Sequence, residues 1–309
     1  MRPSSQRDSG DITVYPRPFS GGFLEIKAYA KINLFLDVVG KRPDGYHDIL
    51  SIMQTVSLHD ELMIRKTKEK SGFNFCTDSK EVPSDESNLV ARAARLMIKE
   101  YKISGSFEIF LTKRIPVGAG LAGGSADCGA ALVGIDRLFN LNVPPDELRC
   151  LARGLGADVP FCMTRGTCLA RGVGNKLTPL SPHPDCAIVI VYPHIHVSTK
   201  EIFEKLEAGA KKQNKKLENM IISLRNKDLT GIANSLYNVF TDLTGGEFPI
   251  VKKMVGKLKT HGAIGASMTG TGSAVFGYFL DESDALAAME ALAVDARTFL
   301  VKPIDEFHS

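Results

Sequence analysis

The stretch "PVGAGLAGGSADCGAAL", Pro116 to Leu132, constrains this chain more than any other. Gly118, Gly120, Gly123, Gly124 and Gly129 are five of its first fourteen residues. So few side chains leave the backbone N–H groups open. The run then takes on the small-residue pattern of a helix reaching to about Phe139. A strand-to-helix turn of this kind presents free N–H groups and the positive end of a helix dipole, which together favour phosphate. A purely structural turn needs one or two glycines rather than five.

Two literal motif matches fail on context. Gly118-x-Gly120-x-x-Gly123 spells the dinucleotide fingerprint, which requires a βαβ unit with an acidic residue about twenty positions on. Asp136 lies near that spacing but inside the helix, and "NVPPDEL" begins another helix with no apolar strand between. The Walker loop ends in Gly-Lys-Ser/Thr. Here Gly123-Gly124-Ser125 has no lysine. What remains is a glycine-rich strand-to-helix turn with Ser125 opening the helix, a phosphate cradle ahead of a purely structural turn.

The 309 residues leave room for two domains. A net charge of +3, no Trp and no Lys/Arg stripe with interleaved aromatics argue against nucleic acid. No apolar run reaches the roughly 18 residues of a membrane helix. The six cysteines form no C-x-x-C pair and no zinc spacing with His, so they read as reduced thiols of a cytoplasmic protein. Residues 1–22, "MRPSSQRDSGDITVYPRPFSGG", are polar, lack a secretory h-region, and are expected to form a disordered lead outside the fold.

Strand signals cover Leu24–Val39, Ile49–Arg65 and Ser106–Leu111, with Pro-Asp-Gly turn chemistry in "KRPDGYHD". "SDESNLVARAARLMIKEY" and "PPDELRCLARGLG" read as helices. After Leu177 the pattern changes. "CAIVIVYP" is a continuous apolar strand, followed by helical stretches near 199–207, 216–225 and 248–259, with "AKKQNKK" as a solvated loop. "AIGASMTGTGSAVFGYFL" gives two strands around a second glycine turn, "ESDALAAMEALA" a helix and "TFLVKPI" a last strand. Strands and helices mix in both halves, which predicts two α+β domains, 23–175 and 176–309.

Four segments in order then carry a resemblance: "YAKINLFLDVVGKRPDGYHDI", "PVGAGLAGGSAD", "GLGADVPFCMTRGTCLARGVG" and "GASMTGTGSAVFG". Spanning about residues 25 to 280, they resemble the motifs of the GHMP small-molecule kinases. The resemblance implies a ribosomal-S5-like amino-terminal domain, a ferredoxin-like carboxy-terminal domain, and ATP with Mg²⁺ between them. "PDGYH" and "GADVP" point within the family to a cytidine diphosphate-linked methylerythritol as the small-molecule acceptor, ahead of mevalonate or homoserine. A catalytically silent binding protein of the same fold is the alternative of a different class.

The resemblance distributes roles along the chain. Asp158 falls on the catalytic aspartate, a general base, although an Asp before Val-Pro is by itself most simply a cap or turn former. Lys31 falls on its lysine partner, although on a strand it could point to solvent. Asn33, two residues on, shares the strand face of Lys31 and could bond within the site. Pro116, Gly118, Ala119, Gly120, Leu121, Ala122, Gly123, Gly124, Ser125 and Ala126 form the ATP phosphate loop. Lys113 just before it is either a cation near the phosphates or a solvated strand-end lysine. Ala122 stands where the family has Gly, which is tolerable unless the position needs positive φ. Asn88 and Leu89 match an adenine-contacting turn or are simply a helix cap and its first apolar residue. Tyr46, His47 and Phe203 fall at the cytosine end, with Phe203 alternatively on a helix core face. Thr199 contacts substrate or caps its helix. Thr269, Gly270 and Thr271 lie in the second glycine turn. The resemblance leaves the protein ligands of Mg²⁺ unassigned.

Overall fold

The computed structural model describes residues 22–68, 72–206 and 213–305. The expected lead falls outside the described residues except for Gly22.

The chain opens with two long antiparallel strands, β1 (Leu24–Lys41) and β2 (His47–Thr67), joined through the Pro-Asp-Gly turn. Gly45 sits at φ +86° there, and the Arg42 N–H donates to the Tyr46 carbonyl at 2.8 Å. Next come β3 (Gly72–Thr77), α1 (Leu89–Glu100), β4 (Ser106–Thr112), α2 (Gly123–Phe139), α3 (Pro145–Ala152) and α4 (Val159–Thr164). β5 (Thr167–Gly172) and β6 (Lys176–Pro179) follow. These strands make one sheet, in which β4 and β5 share the same edge of β2 at its two ends. β5 and β6 form a hairpin across residue 175, so the change of sheet falls after Pro179.

The second sheet is built from β7 (Ala187–Tyr192), and after α5 (Thr199–Lys205), α6 (Asn214–Arg225), α7 (Leu229–Ser235), β8 (Tyr237–Asn238), α8 (Thr241–Glu247) and α9 (Pro249–Thr260), from β9 (Gly265–Met268) and β10 (Val275–Phe279). It ends with α10 (Glu282–Leu292) and β11 (Arg297–Val301). Its order is β11-β7-β10-β9, antiparallel throughout. The two-residue strand β8 leaves this half and pairs parallel with β1 at Phe35 and Leu36, tying the halves together. Within "AKKQNKK", Asn214–Lys216 are the first turn of α6 rather than loop, and 210–212 lie outside the described residues.

Three apolar clusters hold these layers. One packs α1, α2 and α3 onto the first sheet through Val90, Met97, Leu132, Ile135, Leu62 and Phe107. A second lies between the sheets, where Ile32, Leu34 and Phe35 meet Ile188, Ile190, Phe276 and Tyr278. The third puts Val189, Val191 and Phe279 against Met254 and Leu258 of α9 and Leu292 of α10. Alternate residues of β7 feed the second and third clusters, which explains its unbroken apolar sequence. Among the described residues no helix is long and apolar enough to cross a membrane.

Candidate active site

A cavity of about 920 Å³ opens where β1, the α2 turn, α4, α5 and the second glycine turn meet. Every residue singled out from the sequence lines it except Asn88, Ala126 and Thr269. Asn88 is the N-cap of α1, accepting from the Val90 N–H at 2.9 Å and donating to the Pro83 carbonyl at 2.7 Å, so its side chain is spent as a cap. Leu89 after it does line the cavity. Ala126 is packed in the first core. Thr269 is buried, with its hydroxyl 3.2 Å from the Gly120 carbonyl.

The glycine loop is as open as its sequence suggests, for reasons of space as well as conformation. Gly118 and Gly120 adopt φ +66° and +81°. A Cβ on Gly118 would run into the His196 ring, and one on Gly120 into the Thr269 carbonyl oxygen. A Cβ on Gly270 would lie 2.9 Å from Gly120 Cα, so the two glycine turns interlock backbone to backbone. α2 starts at Gly123, two residues before the expected Ser125. Its N-cap is Ala122 at φ 58°, and no side chain caps it. The first N–H groups of α2 are therefore left without a side-chain acceptor at the cavity wall, which suits an anionic phosphate. Ala122 needs the positive φ that its methyl disfavours, so its difference from Gly is a strained one.

β1 aims Lys31 and Asn33 at this turn. The Lys31 side chain is only 5% exposed, and Nζ donates to Asn33 Oδ1 at 2.7 Å and to the Gly120 carbonyl at 3.1 Å. Asp158 Oδ2 stands 3.8 Å from the same Nζ. Asp158 occupies the N-cap position of α4 yet makes no capping hydrogen bond, which leaves its carboxylate turned to Lys31 and the cavity. Residues 127 positions apart thus make one ion pair. Asn33 is 2% exposed, and Oδ1 also accepts from the Gly270 N–H at 2.9 Å.

Lys113 is neither solvated nor free. Its Nζ lies 2.5 Å from Asp60 Oδ2 and 2.8 Å from Asp127 Oδ2, beneath Gly123. Burial alone would lower the pKa of this ammonium, but Asp127 and Asp60 outweigh it and hold the pKa above its ordinary value. Burial pushes Asp127 well up, against the pull of Lys113.

At the other end, the rings of His47 and Phe203 lie 5.2 Å apart, and Phe203 packs edge-on to Phe240 at 4.7 Å. Phe203 therefore belongs both to the core face of α5 and to the cavity. Tyr46 is 65% exposed beside them. The cap of α5 is Ser198, not Thr199, and the Thr199 hydroxyl instead lies 3.1 Å from that of Thr271. The cavity also takes in Asp44, Lys200 and Glu204, which the sequence reading passed over. Lys200 adjoins Thr199 in "VSTKEIF", which is the signal that could have found it. His196, against Gly118, carried none.

A helix N-terminus bare of caps, a second glycine turn locked against it and a buried lysine beside a partly exposed aspartate make a cavity suited to a phosphate chain. Residues 88–166 match the family model described as the GHMP kinases N terminal domain, and residues 220–295 the GHMP kinases C terminal model. The chain belongs to the GHMP kinase family and is a small-molecule kinase.

Within that family it is similar to 4-diphosphocytidyl-2-C-methyl-D-erythritol kinases. That of Lachnospira eligens is 43% identical over 269 residues, covering 87% of this chain and 93% of the relative. That of Caldicellulosiruptor saccharolyticus is 42% identical, covering 87% and 92%. A crystal structure of 4-(cytidine 5'-diphospho)-2C-methyl-D-erythritol kinase superposes with a TM-score of 0.79 at 32% identity, covering 92% of this chain and all of that one. Homoserine kinase from Cytophaga hutchinsonii shares the fold, with a TM-score of 0.72 at 20% identity.

Proposed function

We propose that the protein transfers the γ-phosphoryl group of ATP to the 2-hydroxyl of 4-diphosphocytidyl-2-C-methyl-D-erythritol, a step of the non-mevalonate isoprenoid route. The observation that carries this is the Lys31–Asp158 pair at 3.8 Å, in one cavity with the uncapped start of α2 and the His47–Phe203 corner. The names of the relatives point to the same acceptor.

Phosphoryl transfer asks for position and charge rather than covalent help. The N–H groups at the start of α2 hold the phosphates. Asp158 accepts the proton of the acceptor hydroxyl while that oxygen bonds to the γ-phosphorus and the bond to the bridging oxygen of the diphosphate breaks. Lys31, fixed by Asn33 and Gly120, keeps a positive charge beside the hydroxyl and the moving phosphoryl oxygens. His47 and Phe203, already in ring contact with each other, form one corner against which the cytosine ring sits, with Tyr46 at its open edge. Among the described residues no three His, Cys, Asp or Glu side chains converge as a metal cage. Mg²⁺ bound with ATP would neutralise charge on the triphosphate, whose oxygens the N–H groups at the start of α2 would hold. Residues 23–175 would carry the ATP side together with Lys31, Asp158 and the Tyr46–His47 wall, and 176–309 would close the acceptor side with Phe203 and the second glycine turn, in a cytoplasmic setting that suits cysteines without disulfide partners.

The test is purified protein with Mg-ATP and a panel of acceptors. Turnover of the cytidyl compound, and none of mevalonate or homoserine, is expected. The reverse pattern would reject the proposal, and ATP binding without any turnover would identify a silent member of the family.

A further inference from the structure

We propose that Ser51 is a positioning residue for phosphoryl transfer. Its hydroxyl locks the side-chain amide of Asn33 in the one orientation that holds Lys31 in place. This rests on the role given to Lys31 and Asp158 above.

Ser51 lies in β2, fully buried, and does not line the cavity. Its Oγ donates to the Phe35 carbonyl at 2.7 Å, beside the irregularity where β1 slips register between Asn33 and Phe35. That bond uses the only proton of the hydroxyl. What it can still offer Asn33 is a lone pair, and Asn33 Nδ2 stands 2.9 Å away to take it.

The two ends of an asparagine amide have nearly the same shape, so their partners alone decide which way it points. With Nδ2 committed to Ser51, Oδ1 must face the opposite way. There it meets Lys31 Nζ at 2.7 Å and the Gly270 N–H at 2.9 Å, with the Thr269 hydroxyl a third group within reach at 3.2 Å. Thr269 fits the same accounting. Its hydroxyl accepts from the Asn33 N–H at 3.1 Å and stands 3.2 Å from the Gly120 carbonyl. Reversing the amide would set an NH₂ group against an ammonium and a backbone N–H, and leave Ser51 facing an oxygen with no proton to give. One buried hydroxyl therefore excludes the wrong state of the group that anchors Lys31.

Of the three protons on Lys31 Nζ, one goes to Asn33 and one to Gly120, which leaves the third for the side where Asp158 stands. Removing the hydroxyl of Ser51 leaves Nδ2 buried with no acceptor, so the amide is held from its oxygen end alone and the closest acceptor of Lys31 loses its fixed seat. Ser51 itself does not line the cavity and so touches neither ATP nor the acceptor.

Ser51→Ala should lower kcat by about ten- to a hundredfold, the scale of a small misplacement at the reacting centre. KM for ATP and for the cytidyl acceptor should stay within about twofold. Ser51→Thr, which keeps the hydroxyl on a residue suited to a strand, should recover kcat to within about threefold even if its extra methyl lowers Tm. A Ser51→Ala enzyme with kcat within about twofold of the unaltered protein would overturn the proposal. So would a loss confined to KM, or a Thr variant as slow as the Ala variant. Lys31→Met assayed in parallel separates the layers. If it turns over normally, the role of Lys31 itself falls. If it is inactive while Ser51→Ala is unaffected, only the Ser51 proposal falls.

Discussion

Two lysines, each with a side chain only 5% exposed, stand on either side of the phosphate loop and are held in opposite ways. Lys113 is closed between Asp60 at 2.5 Å and Asp127 at 2.8 Å. Asp60 is itself tied down, its Oδ1 taking the N–H groups of Arg114 and Ile115 at 2.5 and 2.8 Å. Lys31 has neutral oxygens as its near partners and its one carboxylate at 3.8 Å. A buried cation with two carboxylates in contact has no charge left over for a ligand, and serves to fasten β2, the end of β4 and α2 together. A cation fixed by neutral acceptors keeps its field for whatever enters beside Asp158. The difference is one between fastening a site and operating it.

The sharpest way to break this contrast is at the operating end. Asp158→Asn should lower kcat by about 10²–10⁴, the span of general-base contributions, while ATP binding persists. Tm should hardly move, because Asp158 caps nothing and its carboxylate is partly exposed. Steady-state kinetics beside a melting curve checks both halves. Near-normal turnover would remove Asp158 from the role, and a large drop in Tm would put it with the fastening residues.

At the fastening end the expectation reverses. Lys113→Met strands two carboxylates in the interior, and breaking a buried pair by removing one partner costs about 3–5 kcal/mol. Denaturant unfolding should show that loss. The protein that stays folded should keep most of its kcat. Loss of turnover without loss of stability would make Lys113 an operating residue as well.

Much of this was legible in the sequence. The apolar runs and turn signals located β1, β2, β4, β7 and α2 closely, because burial on one face or two writes a period into the chain. α4 and β5 were missed. α4 is six residues with Pro160 in its first turn, and β5, Thr167–Gly172, is buried along its first four residues but has only Cys168, Leu169 and Ala170 as apolar residues, so neither an alternation nor a long apolar run marks it. The motifs brought Lys31, Asp158 and the loop to one cavity, but the state of Lys113 was out of reach. Its partners Asp60 and Asp127 lie 53 residues before it and 14 after it, and pairing between a strand end and a helix face leaves no local pattern. The dependence of Gly118 on His196 is hidden in the same way.

Between the two lysines, Ala122 gives a smaller effect of opposite sign. It holds φ 58° at the start of α2, a conformation that costs a side-chain-bearing residue about 1–2 kcal/mol. Ala122→Gly removes that strain but loosens the unfolded chain, so a net gain of up to about 1 kcal/mol is expected, read as a modest rise in Tm. Since the N–H groups of α2 stay where they are, KM for ATP should be unchanged. A shift in KM would mean that the methyl shapes the phosphate seat directly.

The smallest effect tests whether fastening needs both carboxylates. Lys113 stands between the carboxyl groups of Asp60 and Asp127 in the interior, and Asp127 Oδ1 is buried with no hydrogen-bond partner. Burial is the largest cause raising the pKa of Asp127, and Asp60 adds to it. Asp127→Asn keeps an amide oxygen for Lys113 and leaves one cation facing one anion. It should change stability by no more than about 1 kcal/mol in either direction, well below the cost of losing Lys113. Asp60→Asn should cost more, because Asp60 serves two backbone N–H groups as well as the lysine. If chemical denaturation found the two variants equally damaging, the cluster would be a balanced triad in which each carboxylate is required, and the contrast with Lys31 would lie in the number of charges rather than in how firmly each is tied.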